Sequence, residues 1–450
     1  MKRTFLLFLA LLPFLAQGQE CIRFVAPHDD LRNLSRIVSI DRIHGDTIIA
    51  YANTDELQAL ADLGYTYTKQ PVAQPKVINM ATAVEQLRQW ESYPTYSTYL
   101  AFMQQMTAQY PSLCHLDTIG YSVENRLILS MNIHPQNAST ASPQFFYSSS
   151  IHGDELTGAY LMLRLIDTLL SGYEDNEEIR YLVDNVDIYI NPLANPDGTY
   201  AGGDNTVQYA LRYNANYVDL NRNYPDPFGT DPMTPQQQEN TAMIDYLSAH
   251  HFVLSANLHG GSEVLNYPWD SFESWEQRHP QWQWWDTVCQ RFVDTARSFS
   301  SYHFYDVNSK GYVQGGDWYY IPNGRQDYVN YYHNCLELTM ELSTTKTLST
   351  NQLDGYWQFQ HRSLINYIKE IFPITQGIRP VEPTHLKVFP NPTTGIVHVE
   401  NERQEVFVMD IYGRTLLTLP ADSKDIDLTP YPQGIYLVRV GHKVCRVVKQ

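Results

Sequence analysis

The sequence is poor in cysteine and in positive charge, and past its first twenty residues it lacks any long hydrophobic run. Its five cysteines, Cys21, Cys114, Cys289, Cys335 and Cys445, include no Cys-x-x-Cys pair. That argues against a zinc–thiolate site and leaves room for one or two disulfides in an exported chain. Thirty-one Lys plus Arg stand against 49 Asp plus Glu, a net charge of −18. Such acidity argues against nucleic acid as a partner and is compatible with cationic substrates. No segment offers the roughly 18 unbroken apolar residues of a transmembrane span. Internal repeats and low-complexity tracts are lacking too. With 43% hydrophobic and 18% charged residues, the composition is that of a folded chain.

The first residues, MKRTFLLFLALLPFLAQGQE, place Lys2 and Arg3 before an apolar run from Phe5 to Ala16 and then Gln17-Gly18. They read as a secretory signal peptide over 1–18, whose removal takes the charge from −18 to −20. Residues 19–78 alternate short apolar runs with one helical pattern, TDELQALADLG, in which Thr54 or Asp55 is the candidate cap and Gly64 the terminator. They end in the linker-like TKQPVAQPKV, so this small α/β segment is a candidate pro-segment. Over 79–375, helical patterns such as AVEQLRQWESYPTYSTYLAFMQQMTAQYP alternate with apolar strand-like runs such as QFFYSSS and FVLSANLHG. That order predicts an α/β domain with a buried central sheet and functional residues at the strand ends. A linker at 376–383 leads to 384–450, where short strands and Gly/Pro turns predict an all-β sandwich module.

Three stretches can carry chemistry. In SSSIHGDELTG, His152 and Glu155 stand three residues apart just before a helix. Alone, such a pair reads as a hydrogen-bonded turn. With a third ligand it becomes a zinc site, because catalytic zinc takes three His or carboxylate ligands and leaves a fourth position open. His259, at the end of an apolar run and followed by two glycines, is the candidate third ligand. His250 and His251, in a helix-end context, read as structural. In LRYNANYVDLNRNYPDPFG, Arg212, Asn221 and Arg222 read alone as a solvated loop, but beside a metal they can clamp a carboxylate bidentately. In CLELTMEL, Glu337 and Glu341 both lie in an apolar strand where a buried acid needs a partner or a purpose. Spacing does not choose between them.

Together these segments resemble the zinc metallocarboxypeptidases, or funnelins. The resemblance runs over about 90–375 through His-Gly-Asp-Glu (152–155), Asn-Pro-Asp-Gly (195–198), Val-Asp-Leu-Asn-Arg-Asn (218–223), Leu-His-Gly-Gly (258–261) and Thr-Met-Glu-Leu (339–342). In the run LDTIGYSVENRLILSMNI, Asn125 stands where that family usually has Gly. The resemblance implies a carboxypeptidase-like fold with a central mixed β-sheet flanked by helices. It also implies one Zn2+ held by His152, Glu155 and His259, with Glu341 rather than Glu337 as general base and then acid. Arg212 would polarise the scissile carbonyl, and Asn221, Arg222 and Tyr319 would hold the terminal carboxylate of a peptide or protein substrate.

LHGGSEVLNYPWD is most similar to the regulatory subfamily of carboxypeptidases D, E, M and N, which implies that Asp270 and Gln326 favour a terminal Lys or Arg. Asp270 in an exposed turn, or Arg325 facing the same pocket, would work against that preference. The C-terminal module resembles a Por, or type nine, secretion sorting domain through VFPNPTTG, DIYGR and PQGIYLVRV. This implies engagement of secretion machinery and a released or outer-surface protein. The competing readings are another zinc amidase on the same scaffold, a deglutamylase or deacylase, and an inactive surface-displayed binding protein.

Overall fold

The structure is a computed structural model and describes residues 20–71, 77–136, 142–229, 235–377, 386, 388–399, 405–410, 414–421, 423–440 and 443–450. The signal peptide expected at 1–18, most of the 376–383 linker and part of the DIYGR run lie outside them. The chain divides into two compact units, one up to Ile374 and one from Thr375.

The first unit opens with strands β1 (Glu20–Val25), β2 (Ser39–His44) and β3 (Thr47–Ala52), helix α1 (Thr54–Asp62) and strand β4 (Tyr67–Lys69). The strands form one sheet in the order β2-β3-β1-β4. Neither Thr54 nor Asp55 caps α1. Asn53 does, its side chain accepting from the backbone N–H groups of Asp55 and Glu56 at 2.9 and 3.0 Å. Glu56 returns the bond to the Asn53 N–H, and the reciprocal pairing is what selects the residue one position earlier. Gly64 ends the helix with φ of +86°.

The central sheet is built from β5 (Cys114–Tyr121), β6 (Leu127–Ile133), β7 (Gln144–Ser149), β8 (Asp187–Asn191), β9 (Phe252–His259), β10 (Glu263–Tyr267), β11 (Tyr312–Gln314) and β12 (Leu336–Leu342). Its order is β11-β10-β12-β9-β7-β8-β6-β5. The inner strands β8, β7, β9 and β12 are parallel, and β6 and β10 flank them antiparallel. Alternation along β7 shows both faces buried: Phe145 and Tyr147 join one core and Phe146 another. Helices 96–109, 156–172, 282–299 and 353–369 contribute to the first core, and helices 238–249 and 325–332 to the second.

The long helical pattern expected before residue 111 is broken. Tyr93–Pro94 pairs as a short strand with Met80–Ala81, leaving Val84–Leu87 and Tyr96–Gln109 as separate helices. Pro94 has no N–H to continue a helix, and Thr95 starts the next one by accepting from the Thr98 N–H at 3.2 Å. Asn125 sits at φ of +63°, the left-handed region that asparagine tolerates, so its turn forms without glycine. All five cysteines are unpaired. The second unit is all-β: a three-stranded and a four-stranded sheet share a core that includes Val397, Val406, Ile426 and Val438.

Arg325 and Glu337 form a fully buried pair, Nε to Oε1 at 3.0 Å and Nη2 to Oε2 at 3.1 Å. Arg325→Met strands the carboxylate and should cost about 3–5 kcal/mol, with recovery in the Arg325→Met/Glu337→Met double variant. Tryptophan fluorescence during urea unfolding reads this unit alone, because all eight tryptophans precede residue 374. A loss below about 1 kcal/mol would contradict the pairing.

Candidate active site

Three parallel strands end at one point. The loop after β7 carries His152 and Glu155, β9 ends in His259, and the register sets His259 beside Glu341 of β12. Glycine lets the first loop close: a Cβ on Gly153 would lie 2.3 Å from the Gly198 carbonyl carbon, so the 152–155 loop packs directly on the 195–198 turn.

His152 Nδ1, Glu155 Oε2 and His259 Nδ1 converge to 2.9–3.1 Å of one another, all buried. They are the one group among the described residues able to hold a metal ion. Each partner prepares its donor. The His152 Nε2–H donates to Asp219 Oδ1 at 3.1 Å, which leaves Nδ1 free to ligate. His259 Nε2 lies 2.9 Å from the Asn257 amide, whose oxygen accepts the Nε2–H once the amide is turned to face it. Burial pushes the His259 pKa down to about 4, so its imidazole stays neutral. Burial alone would raise the Glu155 carboxyl, but nearby positive charge, that of Lys346 included, outweighs it and holds the group well below its usual range. The donor set, two imidazoles and a carboxylate, fits zinc.

Glu341 faces this cluster, and its Oε2 has no hydrogen-bond partner among the described residues. Burial, reinforced by Glu155 and Asp41, pushes its pKa well above the carboxylate range. Such a group suits a proton carrier. Glu337 is spent on Arg325, so the two acids left open by spacing have separate environments. Arg212 is fixed by Nε donating to Asp219 Oδ2 at 3.0 Å. Asn221 is held by the Arg325 N–H donating to its Oδ1 at 2.9 Å. Arg222 and the buried Tyr319 line the same chamber.

Asp270 is buried, not in an exposed turn. A Cβ on Gly315 would lie 1.8 Å from its Oδ1, so glycine there makes room for the carboxylate. Gln326 Nε2 donates to Asp270 Oδ1 at 2.8 Å while its Oε1 accepts from the Thr339 N–H at 2.7 Å. Burial, then Asp327, raises the Asp270 pKa well above normal, a shift that a bound cation would reverse. Arg325 is engaged in its pair with Glu337.

The N-terminal sheet closes the chamber. Ile22, Ile40 and Leu60 share a core with Val264, Trp318, Tyr319 and Ile321. The Asp41 carboxylate meets Arg212 Nη1 at 3.3 Å and Lys346 Nζ at 2.5 Å, and Ser39 Oγ donates to Asp219. The cavity left among Asp41, Arg212, Tyr319 and Glu341 is only about 10 Å³.

Residues 99–363 match the family model for zinc carboxypeptidase, more than half of the chain. The chain belongs to the zinc carboxypeptidase family. This carboxypeptidase-family chain is 34% identical over 295 residues to carboxypeptidase D of Mus musculus, a match covering 62% of this chain and 21% of that protein. It therefore spans about a fifth of the length of that relative. It is 30% identical to the carboxypeptidase N catalytic chain of Rattus norvegicus, covering 73% of this chain and 81% of the other. Carboxypeptidase A from Helicoverpa armigera shares the fold at a TM-score of 0.60 and 16% identity, over 80% of this chain and 99% of that one. Residues 387–450 match the secretion system C-terminal sorting domain, which indicates secretion and attachment at an outer surface. No helix among the described residues is long and apolar enough to cross a membrane. The family cofactor is one zinc ion, and the His152–Glu155–His259 cluster fits it.

Sequence reasoning left out three residues found at the site: Asp41 from the N-terminal sheet, and Asp219 and Lys346 from the zinc carboxypeptidase domain. Asp219 lies inside the quoted 218–223 motif, two residues before Asn221. The other two carry no local signal, because a lone Asp or Lys in a strand or loop reads as solvated. Asp219→Ala should weaken zinc affinity about 10- to 100-fold, measured by competition with a chromogenic chelator, and unchanged affinity would contradict its orienting role.

Proposed function

We propose that the protein is a secreted zinc carboxypeptidase that removes a C-terminal Lys or Arg from peptides or proteins. The observation that carries this reading is the convergence of His152, Glu155 and His259 beside Glu341, whose Oε2 is buried and has no hydrogen-bond partner among the described residues. When bound, zinc supplies a Lewis acid and a water of lowered pKa.

The chain's own residues do the rest. Glu341 takes the proton of the attacking water on Oε2 and returns it to the leaving amine. Arg212 donates to the scissile carbonyl oxygen as charge develops there. Losing one such donor typically costs about 2.7–4 kcal/mol of transition-state stabilisation. Asn221, Arg222 and Tyr319 hold the terminal carboxylate, which confines cleavage to the last peptide bond. Asp270, aimed by Gln326, pairs with the terminal ammonium or guanidinium. A terminal glutamate would meet Asp270 as a like charge, which disfavours a deglutamylase. An inactive binding protein would have no need of Glu341 in this setting.

Residues 1–18 start export as a signal peptide, the C-terminal unit addresses the secretion machinery, and residues 19–78 act as a pro-segment that keeps the enzyme latent. Support for latency is the Asp41 carboxylate seated on Arg212 inside a closed chamber. Asp41→Asn in the full chain should raise the hydrolytic rate on short peptides, and an equal rate would contradict latency. In that background, blocked peptides ending in Lys, Arg, Leu and Glu, with and without a zinc chelator, test the activity itself. Lys and Arg should be released, the chelator and Glu341→Gln should each abolish release while Glu341→Gln retains zinc, and Asp270→Asn should erase the basic preference. Release of glutamate or an acyl group instead, or near-normal turnover in Glu341→Gln, would overturn the assignment.

A further inference from the structure

Lys346 has no role in the reaction just described, yet its ammonium lies among the site's acids. Its Nζ is 2.5 Å from Asp41 Oδ1, 3.3 Å from Glu155 Oε1 and 3.5 Å from Asp154 Oδ2. Burial opposes the charge, but Asp154 and Asp41 hold its pKa well above normal. The loop that carries it is rigid. Lys346 O accepts the Leu156 N–H at 2.9 Å, Thr347 Oγ1 donates to Asp154 O at 2.7 Å, and Ser343 Oγ lies 2.7 Å from Thr157 Oγ1. Lys346 is therefore tied to the same segment as His152 and Glu155, and its position is set with theirs.

Asp41 shows what this position accepts. One carboxylate oxygen is shared by Lys346 and by Arg212, the residue placed at the scissile carbonyl. A second cavity of about 300 Å³, lined on the catalytic side by Asp154, Val207, Ala210 and Lys346, meets the catalytic chamber at Asp41, the one residue common to both linings. A substrate that displaced Asp41 would bring the residue before its scissile bond beside Arg212 and so toward Lys346, the other partner of the same carboxylate oxygen.

Resting on the carboxypeptidase reading, we propose that Lys346 is a substrate-binding residue that pairs with an acidic side chain on the residue preceding the scissile bond. Its ammonium takes from the substrate the carboxylate contact it now takes from Asp41. The enzyme would thus read two charges at a chain end: a base at the last position through Asp270 and an acid before it through Lys346.

The test uses the full-length, zinc-loaded Asp41→Asn chain and two blocked peptides, Ala-Glu-Lys and Ala-Gln-Lys. A charge-assisted contact predicts kcat/KM about tenfold higher for the Glu peptide. Lys346→Met should bring the ratio close to one, and Lys346→Arg should restore most of it. High salt should also narrow it. A ratio unchanged in Lys346→Met, or an equal fall for both peptides, overturns the role of Lys346 while leaving the carboxypeptidase reading standing. No release of lysine from either peptide by the zinc-loaded Asp41→Asn chain overturns both.

Discussion

One buried carboxylate, that of Asp219, holds the site together. It accepts from His152 Nε2, from Arg212 Nε, from the Asn221 N–H at 2.9 Å and from Ser39 Oγ. Burial would drive such a group toward neutrality, but Arg212 and His152 outweigh it and keep the pKa well below normal. A persistently charged acceptor fixes the His152 imidazole at the metal cluster and the Arg212 guanidinium together. The positions of both therefore follow from a single anion, and any change to it reaches both.

The rest of the fold provides the dry setting in which that anion is worth keeping. Parallel strands buried on both faces bring His259 and Glu341 side by side, and the close approach at Gly153 sets the 152–155 loop over the same point. Charges removed from water interact strongly and pair strictly. Arg325 with Glu337, Asp270 with Gln326, and Lys346 with Asp41 are three consequences of that rule. Each pair leaves one group near the chamber defined in position and in charge. The N-terminal sheet fits the same logic, because it enters with Asp41, whose carboxylate sits between Arg212 and Lys346.

Much of this was legible from residue order. The strand–helix alternation predicted an α/β domain with a buried central sheet, and the resemblance to zinc carboxypeptidases implied its mixed order and pointed to His152, Glu155, His259 and Glu341. What composition and spacing left open was long-range. Glu337 and Glu341 look alike until Arg325 is seen to bond one of them. Asp270 reads as a turn residue until Gly315 and Gln326 are found around its carboxylate. Asp41 and Lys346 lie 305 positions apart in the sequence, and neither has a neighbour that announces it. Local misreadings had local causes: Asn53 wins the cap of α1 through its reciprocal bond with Glu56, and Pro94 splits a pattern whose apolar spacing alone looks continuous.

The central claim is that the two histidines and Glu155 form a zinc site beside Glu341. Anomalous diffraction at the zinc edge from crystals of the full-length protein tests it most directly. The account predicts one peak, about 2.0–2.2 Å from His152 Nδ1, His259 Nδ1 and a Glu155 carboxylate oxygen. A peak elsewhere, or none in zinc-loaded crystals, would contradict it.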